Sequence, residues 1–93
     1  MLTLELAMEH AQSVKDRRQV VRALKDRLRN GFNVSVSELD DAALWNRATI
    51  GVAAISGSRD YLAGQMELVE KAARGLCVGL GAEIVDCYWE YRD

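Results

Sequence analysis

Lys15, Arg18, Arg22, Lys25 and Arg29 are spaced three, four, three and four residues apart. On a helix these five fall within about 80° of the circumference. Cations on one ridge serve one chemistry, the electrostatic capture of a polyanion or an acidic partner. Residues 13–30 hold seven of the twelve Lys and Arg against two acids, Asp16 and Asp26, a net +5. The whole chain is −2, so the remainder carries −7. Solubility alone can place bases on a surface helix, and Asp16 and Asp26 can pair locally with Arg27, Lys15 or Arg22. Five bases in one arc without an interleaved acid exceed what solubility asks for. Arg17 is separate: it projects toward the apolar arc, where its stem must cover the core edge or its head must meet a strand carboxylate.

Residues suited to bond-making are scarce. Five serines and two cysteines share one histidine, His10, as a possible base. His10 is expected at a strand end in a solvated or capping role. Cys77 and Cys87, separated by nine residues and remote from His10, match no usual structural zinc spacing. They are expected to be reduced, structural thiols. Asp40-Asp41 could take a divalent cation, but one aspartate capping the following turn is the expected role. No carboxylate pair is recognisable as an acid/base couple from spacing. The expectation is a protein that is not an enzyme, with no catalytic residue, metal or cofactor.

The chain has 93 residues, 49% hydrophobic and 28% charged, with no proline, which fits one globular domain spanning 1–93. MLTLELAMEH has no basic leader and alternates apolar with polar residues, unlike a secretion signal. No apolar run approaches the length of a bilayer crossing. A cytoplasmic location is therefore expected.

Leu2, Leu4, Leu6 and Met8 alternate with Thr3, Glu5, Ala7 and Glu9, predicting a half-buried strand. Ser13 stands where an N-cap belongs, before a helix with Val14, Val20, Val21, Leu24 and Leu28 on its apolar arc. Asn30-Gly31 should end that helix in the left-handed conformation. Phe32, Val34 and Val36 predict a second strand, residues 40–46 a turn, and residues 48–55 a central strand. Gly57-Ser58 opens a second helix with Leu62, Met66, Val69, Ala73 and Leu76 on one stripe, ended by Gly79 and Gly81. Residues 83–92 predict a last strand, with Val85, Cys87, Trp89 and Tyr91 on one face and Ile84, Asp86, Tyr88 and Glu90 on the other. The order βαββαβ with right-handed crossovers predicts an α+β, ferredoxin-like sandwich: a four-stranded antiparallel sheet, strands one and three central, both helices on one face.

That fold hosts many functions, so the site must decide. An RNA-recognition motif needs stacking aromatics on the central strands, and these strands have none. A metallochaperone needs paired cysteines after the first strand, and an acyl-phosphate hydrolase needs a glycine-bearing anion cradle there. His10-Ala11-Gln12-Ser13 offers neither.

Three stretches resemble one family. Ser13-Val14-Lys15-Asp16-Arg17-Arg18 resembles its S-L-K-x-K-R signature, and Leu28-Arg29-Asn30-Gly31-Phe32-Asn33-Val34-Ser35-Val36 its L-R-x-x-F-N-V-S-V run. Leu44-Trp45 with residues 48–56 resembles its L-W-x-x-A-x-x-G-x-A stretch. The chain is thus similar to the YlxP-like domain-of-unknown-function family of small bacterial cytoplasmic proteins. The resemblance implies a ferredoxin-like fold. In many bacteria such genes neighbour translation-initiation and ribosome-maturation genes, and the family is sometimes labelled a ribosome-binding factor. No activity or active-site residue is assigned to it. The chain departs from its relatives before Ser13, where Ala11-Gln12 replaces a longer stretch that often contains proline or glycine.

The leading expectation is a non-enzymatic accessory protein that docks on structured RNA, ribosomal RNA foremost, through Lys15, Arg18, Arg22, Lys25 and Arg29. Phosphate contacts would give affinity without DNA or RNA sequence readout. The rival expectation is a protein-interaction module that forms a homodimer or larger oligomer through an edge strand or the open sheet face, where Ile84 and Tyr88 would lie beside Leu39 and Ile55.

Overall fold

The computed structural model describes residues 1–39 and 45–91. Strand β1 (Leu2–Ala7) leads through the Ser13 cap into helix α1 (Val14–Gly31). Strands β2 (Ser35–Glu38) and β3 (Arg47–Ala53) follow, then helix α2 (Arg59–Leu80) and strand β4 (Glu83–Trp89). All pairings are antiparallel, in the order β2-β3-β1-β4, so β1 and β3 are central. This is the α+β, ferredoxin-like βαββαβ arrangement predicted from the pattern. The predicted turn over 40–46 lies outside the described residues except for Trp45 and Asn46, which form part of a turn.

Period-two alternation on the strands and a 3.6-residue stripe on each helix build one core. Leu2, Leu4 and Leu6 of β1 and Ala48, Ile50 and Val52 of β3 meet Val21, Leu24 and Leu28 of α1. Met66, Val69, Ala73 and Cys77 close it from α2. The opposite sheet face lies uncovered by helix. On it Leu39 rests over Gly51, where an added Cβ would come within 2.9 Å of the Leu39 Cδ1.

Two local predictions are corrected. Ile84 does not share the open face with Tyr88. Leu4 pairs with Cys87 and Glu5 with Asp86, but Leu6 pairs with Ile84, so Val85 is an extra residue in β4. That bulge reverses the alternation and turns Ile84 into the core at 8% exposure, while Tyr88 stays 42% exposed. Val85, expected inward, is exposed. Nor does α1 end in a left-handed residue. Its cap is Phe32, at φ −141°, whose N–H donates to the Leu28 carbonyl oxygen. Among the described residues the one glycine at positive φ is Gly81, at 74°, capping α2.

Candidate functional site

The basic ridge follows from how α1 is seated. Ser13 Oγ accepts from the Asp16 N–H at 3.2 Å, and Asp16 Oδ2 accepts from the Gln12 N–H at 3.0 Å, fixing the first turn. The buried positions are Arg17, Val21, Leu24 and Leu28. Arg18, Arg22, Lys25 and Arg29 each follow a buried residue by one position, about 100° further round the helix. Packing of the apolar stripe thus turns the ridge to solvent on one flank of α1. Lys15, Arg18, Arg22 and Arg29 are exposed, and Lys25 is half-buried.

Lys15 to Arg29 spans about 21 Å of helix axis. Two shallow depressions lie along it. One, of about 380 Å³, is bounded by Lys15, Arg18, Gln19, Arg22 and Asp26. The other, of about 300 Å³, lies between α1 and β2 among Arg18, Arg22, Lys25, Arg29 and Glu38. Arg29 pairs with Asp26, Nη2 to Oδ1 at 2.6 Å, with both side chains about half exposed. Among the described residues Lys15, Arg18, Arg22 and Lys25 form no ion pair. An exposed pair such as Arg29–Asp26 contributes at most about 1 kcal/mol, so it yields readily to a phosphate.

Arg17 takes the strand carboxylate expected of it. It is buried, its guanidinium faces the Glu38 carboxylate at the end of β2, and its Nε donates to the Arg47 carbonyl oxygen at 2.8 Å. It therefore anchors the ridge-bearing helix to the sheet and is unavailable to a ligand.

Other chemistry-bearing residues are held in structural roles. The Cys87 thiol donates to Glu70 Oε1 at 3.1 Å, and Arg74 Nε donates to Glu70 Oε2 at 3.2 Å. Burial, followed by the hydrogen bond and charge of Glu70, pushes the Cys87 thiol up to about 11. The hydrogen bond from Cys87, with Arg74 alongside and burial opposing, holds the Glu70 carboxyl below its ordinary value. Cys87 thus remains a thiol at neutral pH, the opposite of an activated nucleophile. Desolvation raises the buried Cys77 thiol as well. Sequence reasoning missed this cluster. The Glu70–Arg74 spacing of four was visible, but its β4 member comes from across the fold. His10 is exposed near the start of α1, and Asp40-Asp41 lies outside the described residues. Among the described residues no group of three His, Cys, Asp or Glu side chains could hold a metal ion, and no helix is long and apolar enough to cross a membrane.

Fold and site together define a small ferredoxin-like α+β domain with a cationic helix face. The family described as "Protein of unknown function (DUF503)" matches residues 1–87, and the chain belongs to that family. It is also similar to the "Uncharacterized protein YlxP" of Bacillus subtilis (strain 168), 40% identical over 55 residues. That match covers 59% of this chain and 60% of the relative, so the chain spans about three-fifths of the relative's length.

Proposed function

We propose that this chain is a non-enzymatic accessory protein of the bacterial cytoplasm that docks on structured RNA, ribosomal RNA or ribosomal particles foremost, through α1. The observation that carries this reading is the ridge itself: three exposed cations and the half-buried Lys25, without an ion-pair partner among the described residues, and a fifth cation in an exposed pair. No aromatic residue lines either depression along the ridge, which favours a phosphate backbone over stacked bases. The remaining −7 of charge would repel RNA from other directions. Glu5, Asp86 and Glu83 lie on the open face of the sheet, away from the helices. The charge separation thereby favours one orientation of approach.

The alternative, self-association through the open sheet face or an edge strand, retains Tyr88 and Leu39. It loses Ile84 to the core, and it places Glu5 beside Asp86 in the pairing of β1 with β4. Two like charges side by side oppose a sheet-to-sheet contact.

The test is binding to ribosomal particles and unrelated structured RNAs as a function of salt. Arg18→Ala, Arg22→Ala, Lys25→Ala and Arg29→Ala should each weaken binding similarly for unrelated sequences. Each should flatten the slope of log affinity against log salt by about 0.7 to 0.9. If wild-type protein shows no salt-sensitive association at about 50 mM salt, the ridge is a solvated face and the reading fails.

A further inference from the structure

The seam between α1 and α2, on the side away from the sheet, has two clefts of opposite character. At one end Gly31, Phe32, Asp60, Tyr61, Gly64 and Leu68 border an opening of about 470 Å³. Tyr61 and Leu68 stand out from it at 64% and 60% exposure. At the other end Ala23, Arg27, Gly75, Leu76, Gly79 and Leu80 border a smaller hollow of about 230 Å³. Along α2 positions 61, 64, 68, 71, 75 and 78 alternate steps of three and four, so they form one line, and Val78 on it is 83% exposed. Glycine weakens a helix relative to alanine. A Cβ added at Gly64, Gly75 or Gly79 would meet nothing within 4 Å, so no neighbour in the chain demands glycine there.

We infer that a second copy of this chain docks on the seam, helix layer to helix layer, with the two α2 helices antiparallel about a two-fold axis. An axis lying between the two α2 helices, level with the midpoint of Val69 and Glu70, sets Tyr61 opposite Val78, Gly64 opposite Gly75 and Asp60 opposite Gly79. The protruding end of one copy then enters the glycine-lined hollow of the other, and the operation repeats itself, as an isologous contact requires. Charge selects this occupant. Asp60 lies in one cleft and Arg27 in the other, so each Asp60 meets an Arg27 across the axis. Near the centre Lys71 falls opposite Leu68 of the second copy, one residue from its Glu67. Among the described residues none of these four charged side chains has an ion-pair partner in its own chain. Two helices about 10 Å wide, α1 about 27 Å and α2 about 33 Å long, offer about 600 Å² per copy, the lower bound of a specific interface. Arg27 projects from α1 half a turn away from Arg18, while Ala23 borders both the hollow and the depression beside Arg18 and Arg22, so the contact reaches the near edge of the basic ridges and leaves their outer side open.

The experiment is light scattering on the intact protein across on the order of 1 to 500 µM. Wild type should rise toward about 21 kDa, twice the 10.4 kDa chain. Gly75→Leu fills the hollow with a better helix former, so its thermal melt should hold or rise while its mass stays near that of one chain. Arg27→Asp and Asp60→Arg should each give monomer, and the double variant should restore the dimer. A wild-type mass of one chain at all concentrations overturns the inference. So does a dimer that survives all these changes, or one abolished by Tyr88→Glu instead, which would move the interface to the open sheet face. R18E/R22E should dimerise as wild type does, so a failure to bind RNA leaves this test intact.

Discussion

Arg17, on the first helix, is 1% exposed, and its guanidinium faces the carboxylate of Glu38 at the end of edge strand β2. Its Nε donates to the Arg47 carbonyl oxygen on β3 at 2.8 Å, so one side chain joins α1 to two strands. A charge buried this deeply is tolerated only with its partners in place.

Arg17→Ala should therefore destabilise the fold by about 3 kcal/mol, since Glu38 would keep a partly buried, unpaired charge. Replacing both, as Arg17→Met with Glu38→Leu, should recover most of that loss. Urea unfolding of the two single variants and the double one measures it; equal and additive losses would mean the pair is uncoupled. Arg17→Ala should leave the salt slope of RNA binding near that of wild type, because this arginine does not reach solvent.

Charge reversal at the ridge should separate binding from folding. R22E/R29E should abolish RNA association while keeping stability within about 1 kcal/mol, since both side chains project away from the core. Loss of binding accompanied by unfolding in a thermal melt would remove the distinction.

The Cys87–Glu70 contact makes stability depend on pH at both ends. Cys87 is raised from 9.0 to about 11, so folding favours the thiol. Its contribution is complete below pH 9.0 and is lost as pH rises through about 11. Glu70 is lowered from 4.5, so its contribution is present above that pH and disappears as pH falls through the depressed value. Cys87→Ala should flatten the alkaline limb of stability against pH, and Glu70→Gln the acid limb. Alkylation of Cys87 should show its inflection near pH 11 in wild type and at lower pH in Glu70→Gln. An inflection at the ordinary thiol value in wild type would contradict the contact.

Two glycines of the α2 region should respond in opposite directions to alanine. Gly81 sits at φ 74°, where a side chain is strained, so Gly81→Ala should cost about 1 kcal/mol. Gly64 is an exposed helical position with open space around it, so Gly64→Ala should stabilise the isolated chain by about 0.5 to 1 kcal/mol. Thermal melts in dilute solution check both signs.

Much of the molecule is legible in its residues. The alternation of Leu2, Leu4 and Leu6, the Ser13 and Ser58 caps and the apolar stripes of both helices determine six elements in βαββαβ order. Right-handed crossover then leaves one natural sheet order. The ridge was equally legible, because the period that buries Val21, Leu24 and Leu28 also sends Arg18, Arg22, Lys25 and Arg29 outward. The partner of Arg17 was legible only as a class, a strand carboxylate. Which acid it meets depends on β2 lying at the sheet edge beside α1, a distance across the fold that no local pattern encodes. The orientation of Ile84 was decided by tertiary pairing alone. Alternation assigns faces only while each residue of a strand has one partner, and the extra Val85 breaks that count when β4 aligns with β1. Cys87 keeps the face that alternation assigns it, opposite Leu4, but that it meets Glu70 depends on how α2 packs across β4. Local periodicity, a property of covalent geometry, determined the elements and their faces; non-local register, a property of packing, decided which side chains finally meet.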